Sequence, residues 1–139
     1  MKYFFNCTQH KLTEDQLKEA SVLWFPSLDV KVLSLEDVFP SDVIERLKNS
    51  PSNKEQLDFI VEDFCSFLQI FVTNNGIFNP EHFAIHFPIG SPAFMYLLRE
   101  GLDAMFPGIR VLFSHTERVV EEKDGKKVVE FKFSHFIEI

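Results

Sequence analysis

Three short polar segments of this 139-residue sequence carry the kinds of side chain that do chemistry. They are residues 6–10, residues 90–91 and residues 114–118. Each follows an apolar run that is typical of a buried strand. If these runs are neighbouring parallel strands, the three segments meet at one edge of a sheet.

The first segment offers a hydroxyl, an amide and an imidazole in succession, at Thr8, Gln9 and His10. These groups are suited to holding ribose and phosphate, and an imidazole also moves a proton near neutral pH. The alternative is a loop whose polar groups merely satisfy the backbone. The position after a strand and the composition both favour a functional role.

The second segment, Gly90-Ser91, stands where a strand gives way to a helix. A glycine here lets an anion such as phosphate approach backbone N–H groups that the helix dipole makes positive. The alternative is a plain helix cap that binds nothing, because Ser91 is a good N-cap and Pro92 suits the first helical position.

The third segment places two hydroxyls, an imidazole and a guanidinium close together, at Ser114, His115, Thr116 and Arg118. Arginine can hold a phosphate through two parallel hydrogen bonds. The alternation of a strand sends Ser114, Thr116 and Arg118 to one side. The alternative is that Arg118 is a solvated partner for an acidic neighbour, as arginines on hairpin arms ordinarily are.

Other chemistries find little support. The sequence has no P-loop and no Gly-rich dinucleotide fingerprint, which argues against an ATPase or an NAD enzyme. His82 and His86 are four residues apart, but the surrounding alternation predicts a strand, on which that spacing does not converge on a metal. Cys7 and Cys65 lack the spacing of a zinc site or a disulfide framework. We expect neither a metal nor a cofactor.

The charge of the chain narrows the choice of partner. Its formal net charge is −7, and affinity for long nucleic acid comes largely from Lys and Arg. A small anion in a locally positive pocket is still compatible with this charge. The chain has no uncharged apolar stretch of about 20 residues and no secretory signal, so we expect a cytoplasmic protein that does not engage a membrane.

Local signals in the first half predict alternating strands and helices. Residues 2–7 form an apolar run, and Thr13 with Gln16 forms a capping box that starts a helix ending near Pro26. A second strand is predicted over 29–35 and a short helical turn over 41–48. The longest helix runs over 52–73 and is apolar on more than one side, so it packs against the sheet and either a neighbouring helix or a second subunit.

The second half continues this alternation. A third strand is predicted over 83–87, a helix over 93–105 and a fourth strand over 109–113, which continues past Ser114 into a hairpin. The hairpin turns at Asp124-Gly125, between arms over 117–122 and 127–139. One face of the second arm is predicted to carry Val129, Phe131, Phe133, His135 and Ile137.

These elements predict a single domain over residues 1–139, an α/β fold of Rossmann type. Its mainly parallel sheet is flanked by helices and ends in a C-terminal β-hairpin. Ligands of such sheets bind at the carboxyl ends of the strands, where the three polar segments lie. The 17 phenylalanines carry more apolar surface than a small monomer can bury, which predicts self-association.

Three stretches taken together resemble the small stand-alone CARF proteins of type III CRISPR systems. The resemblance is carried by residues 5–16, by Gly90-Ser91, and by residues 114–121, 124–129 and 133–136. In that group the first strand ends in an Asn/His-x-Leu-Thr-x-x-Gln run, and the chain closes with a Thr-x-Arg-Val hairpin and a Phe-x-His strand. The middle departs from the group, since residues 87–92 stand where similar proteins often show a Gln-Gly-Glu-Phe-Gly-like segment.

The resemblance implies a ring nuclease, a phosphodiesterase-type enzyme that cleaves cyclic oligoadenylate, here cyclic tetra-adenylate. It implies a homodimer around one ring and a metal-independent attack of a ribose 2′-hydroxyl on the neighbouring phosphate. His10, Ser91 and Arg118 would be catalytic, with His115 second to His10 for proton transfer. The ligand-binding residues would be Asn6, Thr8, Gln9, Gly90, Ser114, His115 and Thr116.

Two other functions remain open from the sequence. A non-catalytic sensor would bind the same ring and signal through a partner protein. An interaction module would use its aromatic helix to bind another protein and would bind no nucleotide.

Overall fold

The chain folds into a five-stranded sheet with helices on both faces. The structure is a computed structural model that describes residues 1–8, 10–27, 29–49, 53–87 and 92–139. The strands are β1 (Lys2–Asn6), β2 (Val30–Leu33), β3 (Phe83–Phe87), β4 (Arg110–Lys123) and β5 (Lys126–Glu138). The helices are α1 (Glu14–Val22), α2 (Leu35–Val38), α3 (Ser41–Lys48), α4 (Lys54–Asn74) and α5 (Pro92–Met105), with a 3₁₀ turn at Pro80–His82.

The strands lie in the order β2-β1-β3-β4-β5. The first four are parallel to their neighbours, and β5 runs antiparallel to β4. The predicted α/β class, with a mainly parallel sheet and a C-terminal hairpin, is therefore confirmed. Because the chain first adds β2 on one side of β1 and then crosses to the other side, the strand order reverses between β1 and β3. Connections that diverge at such a point leave a crevice at the carboxyl ends of the two strands.

The two faces of the sheet pack against different helices. Phe5 belongs to the larger core, together with Phe64 of α4 and Leu98 of α5. Phe4 points the other way, into a smaller core that contains Ala20 of α1. Successive residues of a strand alternate between these faces.

The start of α1 is the predicted capping box. Thr13 Oγ1 accepts from the backbone N–H of Gln16 at 3.2 Å, and Gln16 Oε1 accepts from the N–H of Thr13 at 2.9 Å. The helix ends at Val22, earlier than the expected end near Pro26. The chain turns there and brings the indole N–H of Trp24 to within 2.7 Å of the Glu81 carbonyl oxygen.

Two other boundaries differ slightly from the sequence prediction. Strand β2 stops at Leu33, because the backbone N–H of Ser34 donates to Asp37 at 2.8 Å and begins α2. The N-cap of α4 is Asn53, whose side chain accepts from the N–H of Gln56 at 2.9 Å. None of the helices in these described ranges is both long and apolar enough to cross a membrane.

The C-terminal hairpin extends well beyond the sheet. Only Arg110 to Phe113 of β4 pair with β3, so the remainder of β4 and its β5 partner form a two-stranded ribbon. The register shifts between His115 and Thr116, because Ser134 of β5 is an extra residue without an opposite partner. Such a bulge exchanges the faces of the residues on its two sides.

The bulge overturns the predicted common face of the second arm. Thr116 pairs with Phe133, while His115 pairs with His135. Phe133 therefore lies on the α1 side, and its ring is 5.0 Å from that of Phe136. His135 and Ile137 lie on the opposite side from Val129, Phe131 and Phe133.

Candidate functional site

Three polar side chains lie on the α1 face of the sheet, where the parallel pairing of β1, β3 and β4 ends. Asn6 is the last residue of β1 and pairs in register with His86 of β3. Ser114 is the first residue of β4 beyond its pairing with β3. Each lies two residues after a member of the smaller core, Phe4, Ala84 or Leu112, and so faces α1. These side chains stand where the strand order reverses.

A continuous chain of hydrogen bonds joins these residues. His86 Nδ1 lies 2.9 Å from Asn6 Oδ1, and His86 Nε2 lies 2.7 Å from Ser114 Oγ. Gln16 Nε2 of α1 donates to Ser114 Oγ at 3.0 Å. At the other end, Asn6 Nδ2 donates to the His10 carbonyl oxygen at 2.9 Å. We call Asn6, His86, Ser114 and Gln16 the polar cluster.

The hydrogen-bond partners fix the proton positions in the polar cluster. Asn6 must direct its amide nitrogen toward the His10 carbonyl, because a carbonyl only accepts. Its oxygen then faces His86 Nδ1, so Nδ1 carries a proton. In a neutral imidazole the other nitrogen accepts, and Ser114 therefore donates its hydroxyl proton to His86 Nε2.

Burial keeps the His86 imidazole neutral. Only 4% of His86 is exposed, and its ring lies against Phe4 at 5.9 Å and Phe136 at 5.2 Å. Removal from water disfavours the charged form and lowers the pKa of His86 to about 4. The ring is thus unprotonated on one nitrogen at neutral pH, and this hydrogen-bond-accepting Nε2 faces Ser114.

The loop after β1 folds back onto the end of its own strand. Thr8 Oγ1 donates to the His10 carbonyl oxygen at 2.9 Å and accepts from the His10 N–H at 3.2 Å. Thr8 Oγ1 is also 3.2 Å from Asn6 Oδ1. The His10 residue itself is exposed. This turn fixes the backbone of His10 beside Asn6 and leaves its imidazole accessible to a ligand.

The sequence-predicted site residues divide into three groups. Asn6, Thr8 and Ser114 come together, with the backbone of His10 beside them. The second group, Gln9, Gly90 and Ser91, lies outside the described residues. The third group lies on the hairpin ribbon and comprises His115, Thr116 and Arg118.

The ribbon residues extend the site along β4. Thr116 and Arg118 follow Ser114 on the same face, whereas His115 faces the other way and its ring is 5.0 Å from that of His135. At about 3.3 Å per residue, Arg118 is about 13 Å along the strand from Ser114. Arg118 is exposed, and no ion pair to another described residue occupies its guanidinium.

Sequence reasoning missed His86 and Gln16. From the sequence, His86 stands out only as a possible metal ligand together with His82, and the strand pattern argues against that pair. The signal that identifies it is positional, since His86 lies in register with Asn6, the last residue of β1, and one residue before the end of β3. Gln16 was identified only as a capping residue, although its amide nitrogen is free to bind Ser114 while its oxygen caps the helix.

The two cysteines are poor nucleophiles. Burial raises the pKa of the Cys7 thiol. Cys65 is only partly buried, and burial raises the pKa of its thiol as well. A thiol with a raised pKa carries little of the reactive thiolate at neutral pH. We therefore assign no chemistry to either cysteine.

A separate cavity of about 590 Å³ opens at the amino edge of the sheet. Lys2 Nζ and His82 Nε2 meet there at 2.9 Å, and Arg110 forms an ion pair with Glu138 at 2.7 Å. The cavity lining contains none of the sequence-predicted site residues. It lies at the opposite end of the strands from the polar cluster.

No protein-family model matches the chain, and comparison with curated proteins gives no significant relative. The chemistry of the site therefore has to be argued from its own residues.

Proposed function

We propose that this chain is a CARF-like domain of Rossmann type that acts as a cytoplasmic ring nuclease. Its substrate is cyclic oligoadenylate, with cyclic tetra-adenylate as the ring to test first. The reaction is a metal-independent attack of a ribose 2′-hydroxyl on the adjoining phosphate, which leaves a 2′,3′-cyclic phosphate. By destroying the messenger, the enzyme would switch off type III CRISPR signalling.

One observation carries this proposal: Asn6, His86 and Ser114 lie at the carboxyl end of the parallel pairing of β1, β3 and β4, and they are joined by hydrogen bonds beside the reversal of strand order. Sheets of this kind bind nucleotides at that place. The resemblance of the sequence supplies the ligand class. Thr116 and Arg118 continue the same face, so a ligand larger than one nucleotide can contact both the strand ends and the ribbon.

In this proposal the residues divide the work between holding the ring and stabilising charge. Asn6, Thr8, Gln9, Ser114 and Thr116 hold ribose and base groups through hydroxyl and amide hydrogen bonds. The backbone N–H groups of Gly90 and Ser91, together with Arg118, stabilise charge on the phosphoryl oxygens. His10 transfers a proton to the leaving oxygen, with His115 as the second choice.

A homodimer gives the ring two equivalent sets of strand ends. A second subunit would also cover apolar side chains that are exposed in the single chain. Phe59 is 61% exposed, Ile70 is 54% exposed and Phe131 is 71% exposed. Four phosphates need only local positive groups and helix N-termini, so the net charge of −7 is no obstacle.

The test is to incubate the purified protein with labelled cyclic tetra-adenylate in excess EDTA and to separate the products. We expect cleavage to linear products whose combined mass equals that of the ring, because transesterification adds no water. Reaction in ¹⁸O-water therefore leaves the cyclic phosphate unlabelled. Products that carry ¹⁸O from the first step would instead indicate attack by water.

The same experiment separates the competing functions. Retention of the ring without cleavage indicates a sensor that acts through a partner protein. Neither binding nor cleavage indicates an interaction module, for which the exposed aromatic side chains would be the contact surface. Arg118→Ala and His10→Ala then test the assigned roles, and full turnover in both variants would show that the assignment is wrong.

A further inference from the structure

The polar cluster contains a proton-accepting group to which the proposed function gives no role. We propose that His86 takes up, through Ser114, the proton that the attacking ribose 2′-hydroxyl releases, while Asn6 holds the imidazole in the required tautomer. This inference rests on the proposed function and names the base for it. His86 is a positioning residue in this scheme, since Ser114 is the group that touches the substrate.

The arrangement of atoms supports a directed relay. The Ser114 hydroxyl proton is committed to His86 Nε2 at 2.7 Å, and the His86 Nδ1 proton is committed to Asn6 Oδ1 at 2.9 Å. Both bonds run in the same direction, away from the surface and toward Asn6. A serine, a histidine and an orienting group in this order are the arrangement by which a hydroxyl is activated in hydrolases.

Ser114 is the one member of the relay that a ligand can approach directly. It is partly exposed, whereas His86 and Asn6 are 4% and 7% exposed. Among the described residues its oxygen accepts one hydrogen bond, from Gln16 Nε2 at 3.0 Å, and a hydroxyl oxygen has two lone pairs. The second lone pair is available for a donor on the ligand. Because its own proton points to His86, Ser114 selects a hydroxyl that donates, as the attacking 2′-hydroxyl must.

The step balances without any further reactant. The 2′-hydroxyl gives its proton to Ser114 Oγ as Ser114 gives its own proton to His86 Nε2. The 2′-oxygen forms a bond to phosphorus, and the bond from phosphorus to the 5′-oxygen of the next nucleotide breaks. His10 donates a proton to that leaving oxygen. The product carries a 2′,3′-cyclic phosphate, the His86 imidazolium returns its proton to solvent through Ser114, and His10 takes up a proton from solvent for the next turnover.

The two histidines then perform complementary tasks. Burial among aromatic rings keeps His86 neutral, so its Nε2 is unprotonated when the cyclic oligoadenylate binds, and the lowered pKa lets its imidazolium give the proton back readily. His10 is exposed and lies across Asn6 from the relay, with its backbone held by Asn6 and Thr8. In-line displacement needs a base and an acid on opposite sides of the phosphorus, and Asn6 connects the two residues, through Oδ1 to the His86 ring and through Nδ2 to the His10 carbonyl.

The first test is the turnover of Ser114→Ala with cyclic tetra-adenylate. We expect kcat to fall by roughly 10² to 10³-fold, the usual loss when a general base is disconnected, and KM to rise by a much smaller factor, because Ser114 is one of several groups that hold the ring. Ser134→Ala is the matched control, because it removes another hydroxyl that is bonded to a histidine, at 2.9 Å from His135 Nδ1, outside the polar cluster. The control should keep full kcat. Equal kcat in Ser114→Ala and wild type overturns the relay alone.

The second test asks whether the basicity of His86 matters or only its shape. His86→Ala leaves a ring-sized space between Phe4 and Phe136, which added imidazole can fill. We expect imidazole to restore turnover and pyrazole, which has the same shape but is a far weaker base, to leave it low. Equal rescue by the two azoles would show that His86 only fills space.

A third measurement is independent of turnover. The ¹⁵N shifts of His86 at pH 7 should show a protonated Nδ1 and a bare Nε2. A protonated Nε2 overturns the relay whatever the activity is. Absence of turnover in the wild-type protein overturns the proposed function and the relay with it, whereas turnover that survives Ser114→Ala overturns only the relay.

Discussion

At the scale of single residues, the site depends on one buried imidazole whose hydrogen bonds are all made. His86 would be costly to bury alone, since an unsatisfied polar group costs about 1–3 kcal/mol. Asn6 and Ser114 satisfy both of its ring nitrogens. Asn6 in turn donates to the His10 carbonyl oxygen, and Ser114 accepts from the side chain of Gln16. The hydrogen bonds therefore hold the buried ring from both sides, and the partly exposed Ser114 is the member that presents an acceptor lone pair to a ligand.

The buried imidazole makes the stability of the fold depend on pH. The pKa of His86 is about 4 in the folded chain and near 6.5 in the unfolded chain. Below pH 6.5 the unfolded chain therefore binds a proton that the folded chain does not, and stability falls as pH falls toward 4. The free energy of unfolding should lose about 3 kcal/mol over that window from this residue.

Urea unfolding of wild type and His86→Gln at several pH values between 7.5 and 4.5 measures this contribution. Carboxylates titrate in both proteins, so the difference between the two curves isolates His86. We expect the wild type to lose stability more steeply than the variant between pH 6.5 and 4.5. Parallel curves would show that His86 is protonated as easily in the folded state as in the unfolded state.

At the scale of elements, the sequence predicts what local signals determine. The capping box at Thr13 and the apolar strands depend on residues that are close together in the sequence, and both predictions are confirmed. The bulge at Ser134 could not be predicted in this way, because the alternation of apolar and polar residues continues through it without a break. Only pairing with β4 shows that Phe133 and Phe136 share a face. The predicted face of the second arm was wrong for that reason.

The N-terminal cap of α1 links helix stability to the site. Thr13→Ala removes the side chain that accepts from the Gln16 N–H, which should cost about 1 kcal/mol and loosen Gln16. Asn53→Ala removes the equivalent bond at α4, far along the chain from the polar cluster. We expect similar losses of stability in urea, but weaker binding of cyclic tetra-adenylate only in Thr13→Ala. Equal affinity in the two variants would show that the position of Gln16 does not contribute to ligand binding.

At the scale of the whole molecule, the strand order decides which residues meet. The sequence indicated that polar groups at strand ends would converge, and Asn6, Thr8 and Ser114 do so. It did not indicate that β3 lies between β1 and β4, which makes His86 the centre of the cluster. The two hairpin arms were predicted close to where they lie, and their length sets Arg118 apart from the strand ends. Long-range pairing thus determined the parts that were missed.

One polar cluster contacts only part of a four-nucleotide ring, and a second copy supplies the rest by two-fold symmetry. Titration calorimetry with cyclic tetra-adenylate, using Ser114→Ala so that the ring stays intact, should therefore give one ring for two chains. Light scattering should give twice the chain mass under the same conditions. Binding should weaken as salt is raised, since the phosphates meet local positive groups. One ring per chain, on a species of single-chain mass, would show that a single set of strand ends is a complete site and would remove the reason for the dimer.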